Sequence, residues 1–367
     1  MPVAHIIFVS KKHDPCHIPL MFLIYPGTFL SIFTPDSSVM RLPFFTFFFC
    51  LSFIAHAQVV RKRTTTLMGS RWQISIVATD SLAAEQHIDT VIAEVSRIEN
   101  LISDWKPESQ VSQVNSHAGL KAIKVDKEVF EITRRAIALS ELTGGAFDIS
   151  FAAMERIWKF DGSMTEMPSA ELIKKSVEKV GYRNIVLDSA NSTIFLKLKG
   201  MKIGFGALGE GYAADRCREL MRKKGIRAGI VNGSGDISTW GKQPNGKPWS
   251  IGITNPKRNQ RLMATIPLQE GSVVTSGNYE KFVSLNGRRY SHIINPATGY
   301  PATGLSSVTI FGPSTETANG FSTSMMVLGP DAAVQFIEKF PAYRYILITD
   351  EGRILSSPTL KFKKKRL

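Results

Sequence analysis

Met201-Lys202-Ile203-Gly204-Phe205-Gly206-Ala207-Leu208-Gly209 sets a short apolar segment before glycines 204, 206 and 209, the G-x-G-x-x-G spacing with which a strand passes into a helix beneath a dinucleotide. The fold turns on whether this spacing belongs to a doubly wound nucleotide unit. Such a unit needs a long buried strand before the loop and an acidic residue at the end of the next strand, about twenty residues on. Here the preceding strand is short, and the next, Ala228-Gly229-Ile230-Val231, runs into a second glycine loop, Asn232-Gly233-Ser234-Gly235-Asp236. The doubly wound reading is not supported. Two readings of the loops stay open: backbone amides facing a phosphorylated ligand, or tight turns that need positive φ.

Working outward, Gln73-Ile74-Ser75-Ile76-Val77 alternates with period two, as a half-buried strand does. Ile88, Val91, Ile92, Val95, Ile98 and Ile102 then recur at helical spacing, with Ser81 as the expected N-cap. A second helix is expected over Val129, Phe130, Ile132, Ala136, Ile137 and Leu139, and a third from Ser169 through Leu172, Ile173 and Val177. Between the first two lies a polar stretch, 103–119, read as a loop. From Ile185 onward, short β-branched runs dominate: Ile185–Leu187, Thr193–Leu198, Ile226–Val231, Ser272–Thr275, Tyr290–Ile294 and Val308–Phe311. The expected class is mixed α/β or α+β, sheet-rich in its second half, with no linker dividing it.

The chain has 367 residues, 43% hydrophobic and 21% charged, with 28 Gly and 18 Pro, which excludes fibrous, collagen-like, disordered and multi-span membrane classes. Cys16, Cys50 and Cys217 are too few and too far apart for a disulfide framework or a zinc ribbon. Residues 1–57 read as a signal region. Arg41 precedes an apolar run ending at Ile54, and Ala55-His56-Ala57 offers small residues where a signal peptidase reads. Met40 is the expected true start and Ala57 the expected cleavage site, with retention as an N-terminal anchor as the alternative; a lipid-modified Cys50 is disfavoured by Phe49 before it. The expected location is exported, periplasmic or associated with the inner membrane.

The formal net charge is +14; three basic and two acidic residues lie before residue 58, leaving +13. Much of it sits at the ends, in Arg61-Lys62-Arg63 and in Lys361-Phe362-Lys363-Lys364-Lys365-Arg366. No basic stripe interleaved with aromatics appears, so nucleic acid is not an expected partner. Solvated basic tails, with peripheral contact to a membrane, account for the charge better. After residue 57 three histidines remain, of which His87 lies in the amphipathic helix and His117 in the polar loop. The third is His292, in Tyr290-Ser291-His292-Ile293-Ile294-Asn295-Pro296-Ala297-Thr298-Gly299-Tyr300-Pro301, close behind Val274-Thr275-Ser276-Gly277-Asn278-Tyr279-Glu280. A lone histidine in a strand is ordinarily structural until its neighbours argue otherwise.

Those neighbours carry a resemblance. Met68-Gly69-Ser70, Ser103-Asp104-Trp105, Gly145-Ala146-Phe147-Asp148, Gly206-Ala207-Leu208-Gly209-Glu210-Gly211-Tyr212-Ala213, Asn232 to Asp236, Thr275-Ser276-Gly277, Ser291 to Pro296 and Ala318-Asn319-Gly320-Phe321-Ser322-Thr323 resemble, in order, the signatures of the FAD:protein FMN transferases, the ApbE-like family. The match covers roughly residues 66–340, and implies a flavin transferase domain over 58–345, followed by a C-terminal strand and basic tail over 346–367. It implies a T-fold-related, sheet-rich core with packed helices and a helical subdomain. The implied activity splits FAD, attaches FMN through a phosphoester to a Thr or Ser of an exported acceptor protein, and releases AMP with Mg²⁺.

The same resemblance assigns residues. His292 is the implied base toward the acceptor hydroxyl. Met68, Trp105, Ala146, Phe147, Asp148, Gly204, Glu210 and Ile293 are the implied FAD contacts, with Phe147 and Trp105 offering flat faces. Ala207 through its carbonyl, and Asn319 and Thr323 with Ser322 beside them, are the implied cation ligands. Positions 319 and 323 share one helical face, so both oxygens can reach one hard cation. Three positions depart from the family pattern. Asn319 stands for an acidic ligand, Glu210 for a lysine, and Asn278 for an aspartate. Glu210 restoring the carboxylate that Asn319 lacks is one reading; decayed catalysis with flavin binding retained is another. The alternatives to transfer are an FAD diphosphatase using water, and a non-catalytic flavin-binding relative.

Overall fold

The computed structural model describes residues 58–256, 261–279, 281–360 and 363–364. The expected signal region, 1–57, lies outside them. The first half holds β1 (Val59–Leu67), β2 (Ser70–Ala78), α1 (Ser81–Ile102), α2 (Gln110–Ser116), β3 (Ile123–Lys124), α3 (Lys127–Leu142), α4 (Ala170–Ser176), β4 (Ile185–Asp188), β5 (Thr193–Leu196) and α5 (Gly209–Lys223). The second half is sheet-rich, as expected: β6 (Ala228–Gly233), β7 (Asp236–Trp240), β8 (Trp249–Asn255), β9 (Arg261–Leu268), β10 (Gly271–Gly277), β11 (Phe282–Leu285), β12 (Arg288–Ser291), β13 (Leu305–Gly312), α6 (Thr315–Leu328), α7 (Pro330–Ile337), β14 (Arg344–Thr349), β15 (Ile354–Ser356) and β16 (Lys363–Lys364).

Eight strands form one sheet in the order β1-β2-β6-β7-β10-β13-β14-β15, every neighbouring pair antiparallel. One face packs on the helices, where Trp72, Ile74, Trp240, Val274 and Ile310 meet the α1 stripe of Ile88, Val91, Val95 and Ile98 and the α6 side chains Phe321 and Met325 in one core. The opposite face carries Val77, Ile230, Ile237, Val273, Phe311 and Ile346, covered by Trp249, Ile251, Met263 and Ile266 of the β8–β9 pair. β2, expected to be half-buried from its alternation, is covered on both faces in its second half, where Ser75 and Val77 are buried as well as Ile74 and Ile76. A mixed α+β fold with a central sheet is the result. Among the described residues, no helix is long and apolar enough to cross a membrane.

Local chemistry sets the details, and several expectations are corrected. α1 is capped by Asp80, whose Oδ1 accepts from the Ala83 amide at 2.8 Å, so Ser81 is already helical. The polar stretch after it contains α2, capped by Ser109 accepting from the Ser112 amide at 2.9 Å; its few apolar residues, Val111 and Val114, hid it. The strand expected over Tyr290–Ile294 ends at Ser291, which leaves His292 just past it. Arg61–Arg63 are part of β1, not a free tail, and Arg63 pairs with Glu85 and Asp89 of α1. Position 345, the expected domain boundary, falls within β14, whose neighbours are β13 and β15, so the C-terminal strands belong to the main sheet. Lys363 and Lys364 of the expected tail pair with Thr265 and Ala264 of β9.

The segment Met201-Lys202-Ile203 is in no ladder. The Asn115 side chain takes the place of a partner strand: its Nδ2 donates to the Ile203 carbonyl at 2.9 Å and its Oδ1 accepts from the Ile203 amide at 2.8 Å. That clamp sets where the glycine loop begins. Asn115→Ala strands both backbone groups, and we expect it to lower the unfolding free energy by about 1–2 kcal/mol in urea titration; an unchanged midpoint would show that the clamp is dispensable.

Candidate active site

A cleft of about 410 Å³ opens where the sheet ends meet α5 and α6. Eleven of the residues singled out from sequence line it: Trp105, Ala146, Phe147, Asp148, Gly204, Ala207, Glu210, His292, Ile293, Asn319 and Thr323. Met68 and Ser322 do not. Met68 packs partly buried against the core, and buried Ser322 bonds to the Ser276 hydroxyl at 2.8 Å and donates to the Asn319 carbonyl at 3.0 Å, a strut between β10 and α6. The lining also includes Asp104, Asp236, Thr275 and Ser276, which stood inside the quoted motifs without being assigned.

The two readings of the glycine loops resolve differently. Ser234 and Gly235 have φ of 51° and 111° and close the β6–β7 hairpin, so the second loop is a turn that needs positive φ. The first loop has no such need, because none of Gly204, Gly206 and Gly209 is among the positive-φ residues. A Cβ on Gly204 would lie 2.9 Å from the Ala152 Cβ, and one on Gly209 would lie 3.2 Å from Ile102 Cδ1. A Cβ on Gly206 would meet nothing within 4 Å. The protein itself gives no steric reason for a glycine there, and the position borders the cleft.

The aromatic faces divide as well. Trp105 is 70% exposed with the Arg156 guanidinium 4.1 Å over its ring, so it can stack on a flat ligand at the cleft mouth. Phe147 is 3% exposed and belongs to the core, which leaves it a floor and not a free face. Asp148 is also committed within the protein: it accepts from the Ser150 amide and hydroxyl at 2.8 and 2.6 Å and from the Tyr182 amide at 2.8 Å. Burial pushes its pKa above the usual carboxylate range, and these donors oppose that.

His292 is oriented by one carbonyl. Lys281 O accepts from the His292 amide at 3.0 Å and lies 3.0 Å from ring Nδ1. A carbonyl has no proton to give, so Nδ1 carries the hydrogen and the lone pair resides on Nε2. Burial lowers the imidazole pKa, the carbonyl bond opposes this, and the Lys281 cation lowers it further. Burial raises the Glu210 pKa, against a hydrogen bond from Ser70 and the charge of Lys281. Lys281 therefore acts on both groups.

Asn319 and Thr323 reach the cleft from the same face of α6, as their spacing predicts. Asn319 Nδ2 donates to a carboxylate oxygen of Asp236, which directs its own Oδ1 elsewhere. The carboxylate in contact with Asn319 is thus Asp236 on β7, while the groups acting on Glu210 are Ser70 and Lys281. Ala207, Asn319, Thr323 and Asp236 form an all-oxygen donor set, which suits a hard cation. The cleft lining contains four carboxylates, Asp104, Asp148, Glu210 and Asp236, and neither lysine nor arginine.

The sequence model of the ApbE family matches residues 68–347. The chain belongs to the ApbE family. It is 29% identical to a FAD:protein FMN transferase of Klebsiella pneumoniae over 77% of this chain and 83% of that one. With a FAD:protein FMN transferase of Salmonella typhimurium it is 30% identical over 77% and 82%. Among solved structures, the ApbE protein of Thermotoga maritima superposes with a TM-score of 0.75 at 30% identity, covering 82% of this chain and 98% of that one. The Pseudomonas stutzeri flavinyl transferase ApbE gives 0.71 at 27% identity, covering 82% and 94%.

Two departures from the ApbE pattern now have physical settings. Asn278 Nδ2 donates to Asp350 Oδ1 at 3.1 Å and to the Leu305 carbonyl at 3.3 Å, while Asp350 also accepts from Ser306 Oγ and the Gly304 amide. An aspartate at 278 would set two carboxylates in contact, so the amide is what this neighbourhood needs. Asn319 has the same relation to Asp236. Asn319→Asp creates a buried carboxylate pair that repels unless a proton or cation lies between. We expect this variant to melt below the parent chain in EDTA and to be stabilised by millimolar Mg²⁺ more than the parent is; equal Mg²⁺ responses would show that no cation reaches position 319.

Proposed function

We propose that this ApbE family member transfers FMN from FAD to a Thr or Ser hydroxyl of an exported acceptor protein, forming a phosphoester and releasing AMP. The observation that carries the reading is His292, whose Nε2 lone pair is set by the Lys281 carbonyl in the cleft that also holds open Gly206 and exposed Trp105. The names of the relatives support the flavin chemistry. The stretch from Arg41 to Ala57, with its single charge, apolar run and small residues, supports export.

In this reading the acceptor hydroxyl attacks the FMN-side phosphorus. Its proton passes to Nε2 of His292, the new O–P bond forms, and the bond to the bridging oxygen breaks with its electron pair leaving on AMP. Trp105 stacks a flat ring of FAD at the cleft mouth, and Gly206 lets the backbone come close to the diphosphate. The four carboxylates of the lining would repel that diphosphate, and burial of Asp148 and Glu210, which raises the pKa of each, opposes their ionisation. A Mg²⁺ held by the Ala207 carbonyl, Asn319, Thr323 and Asp236 would supply charge neutralisation of the diphosphate.

The purified chain, incubated with FAD, Mg²⁺ and an exported acceptor, should yield flavin fluorescence on the denatured acceptor band. Free FMN alone would instead identify a diphosphatase, and bound FAD with no AMP a flavin-binding protein. His292→Ala should cut transfer by about 10²–10⁴-fold with FAD affinity nearly unchanged. Only neutral imidazole can take the proton, and its pKa is lowered from 6.5. The rate should therefore hold as pH falls to 6.5 and decline below it; a decline centred above 6.5 would remove His292 as the base.

A further inference from the structure

Asp215, on α5, is five residues beyond Glu210 of the cleft lining and takes no part in the reaction described above, yet it is among the most heavily bonded carboxylates of the described residues. Its Oδ1 accepts from Ser238 Oγ at 3.1 Å and Thr315 Oγ1 at 2.7 Å. Its Oδ2 accepts from the Thr315 amide at 2.7 Å, Ser314 Oγ at 2.9 Å and the Glu316 amide at 3.1 Å. Arg218 adds an ion pair at 3.1 Å, and both side chains are largely buried. The partners fall on three elements: α5 itself, β7 through Ser238, and the start of α6 through residues 314–316.

These are the three elements that end in the proposed cation ligands. Ala207 lies in the loop that leads into α5, Asp236 opens β7 two residues before Ser238, and α6 carries Asn319 and Thr323. Capping is only part of the arrangement. Ser314 caps α6 by accepting from the Thr317 amide at 3.2 Å, and Asp215 takes the Thr315 and Glu316 amides that Ser314 leaves, but its bond to Ser238 on β7 serves no helix end. What it fixes is where the helix starts. The approach of the two helices is equally tight, since a Cβ on Gly211 would lie 2.7 Å from the Thr315 carbonyl oxygen. Thr323 is about 12 Å along the axis from Thr315, so a tilt of about 5° at that anchor moves its hydroxyl by about 1 Å. An error of that size matters to a set of ligands that must converge.

We infer that Asp215 is a positioning residue that holds α5, β7 and α6 in the register at which Ala207, Asp236, Asn319 and Thr323 converge on one divalent cation. The inference rests on the cation reading given under the proposed function. It is tested on the full chain with Mn²⁺ as the probe, its dissociation constant read by electron paramagnetic resonance well below the melting temperature of each protein. Asp215→Asn keeps the size but replaces one acceptor oxygen by a donor, and should weaken Mn²⁺ binding by about 10–100-fold. Ser238→Ala removes only the β7 limb and should weaken it by a smaller factor with little change in melting temperature; it decides the matter if Asp215→Asn does not fold. A drop in melting temperature with unchanged Mn²⁺ affinity in both variants would reduce Asp215 to a structural cap and overturn the inference while leaving the transferase reading intact. A parent chain that transfers FMN but binds no Mn²⁺ would overturn the cation reading and this inference together.

Discussion

Burial of the main sheet on both faces is the constraint from which the site follows. Trp72, Trp240 and Phe321 fill the helix side and Phe311 the other, all essentially inaccessible to water. Each such side chain contributes about 1.5–3 kcal/mol on burial, and an unpaired polar group among them would cost a comparable amount. Polar side chains inside the strands are tied to protein partners, as Ser238 is to Asp215 and Thr275 to Thr309, and the groups that face the cleft lie at or near strand ends. Asp236 is the first residue of β7, Gly277 the last of β10, and His292 follows the last of β12. The cleft is where those ends collect, with α5 and α6 beside them.

Within the cleft, few of the polar groups are left to water alone. Asp148 is held by Ser150 and Tyr182, His292 by Lys281, Asn319 by Asp236, and Ser276 by Ser322. Groups fixed in this way need not reorganise when a charged substrate arrives, which is the usual source of electrostatic catalysis. The same bonds distinguish roles that residue type alone does not. Asp148 spends three hydrogen bonds on the turn after it and on Tyr182, so its place in the cleft wall is chiefly architectural, whereas His292 spends one ring nitrogen and keeps the other.

Much of this was readable before any coordinates. Helical periodicity located α1 and α3, β-branched runs located β4, β5, β10 and β13, and ordered motifs located all but Met68 and Ser322 of the lining residues chosen. What failed did so for identifiable reasons. The segment at Ile203 looks like a strand because it is short and apolar, but a side-chain amide distant in sequence, and no partner strand, satisfies its backbone at Ile203. α2 carries too little apolar surface to show a period. Arg63 looks like part of a tail because its acidic partners lie two elements later, on α1. The relation of Asn319 to Asp236 joins residues on α6 and β7, and no local pattern encodes it.

Charge gives the last step. Relative to the family pattern, Asn319 removes one negative charge and Glu210 replaces a positive charge with a negative one. The cleft lining is left with four carboxylates and neither lysine nor arginine. Such a pocket is poorly suited to a diphosphate on its own, so under the proposed transfer the departures would make a bound cation more necessary, even as a neutral amide at 319 would be the weaker ligand for it. Three features of the chain act against that conflict. Asp236 stands in contact with Asn319, burial biases Asp148 and Glu210 toward their neutral forms, and the Lys281 charge favours ionised Glu210 by offsetting it from outside the lining. The first keeps a carboxylate beside Asn319, and the other two lessen the negative field of the lining, so part of the charge that the departures remove or reverse is offset within the site itself.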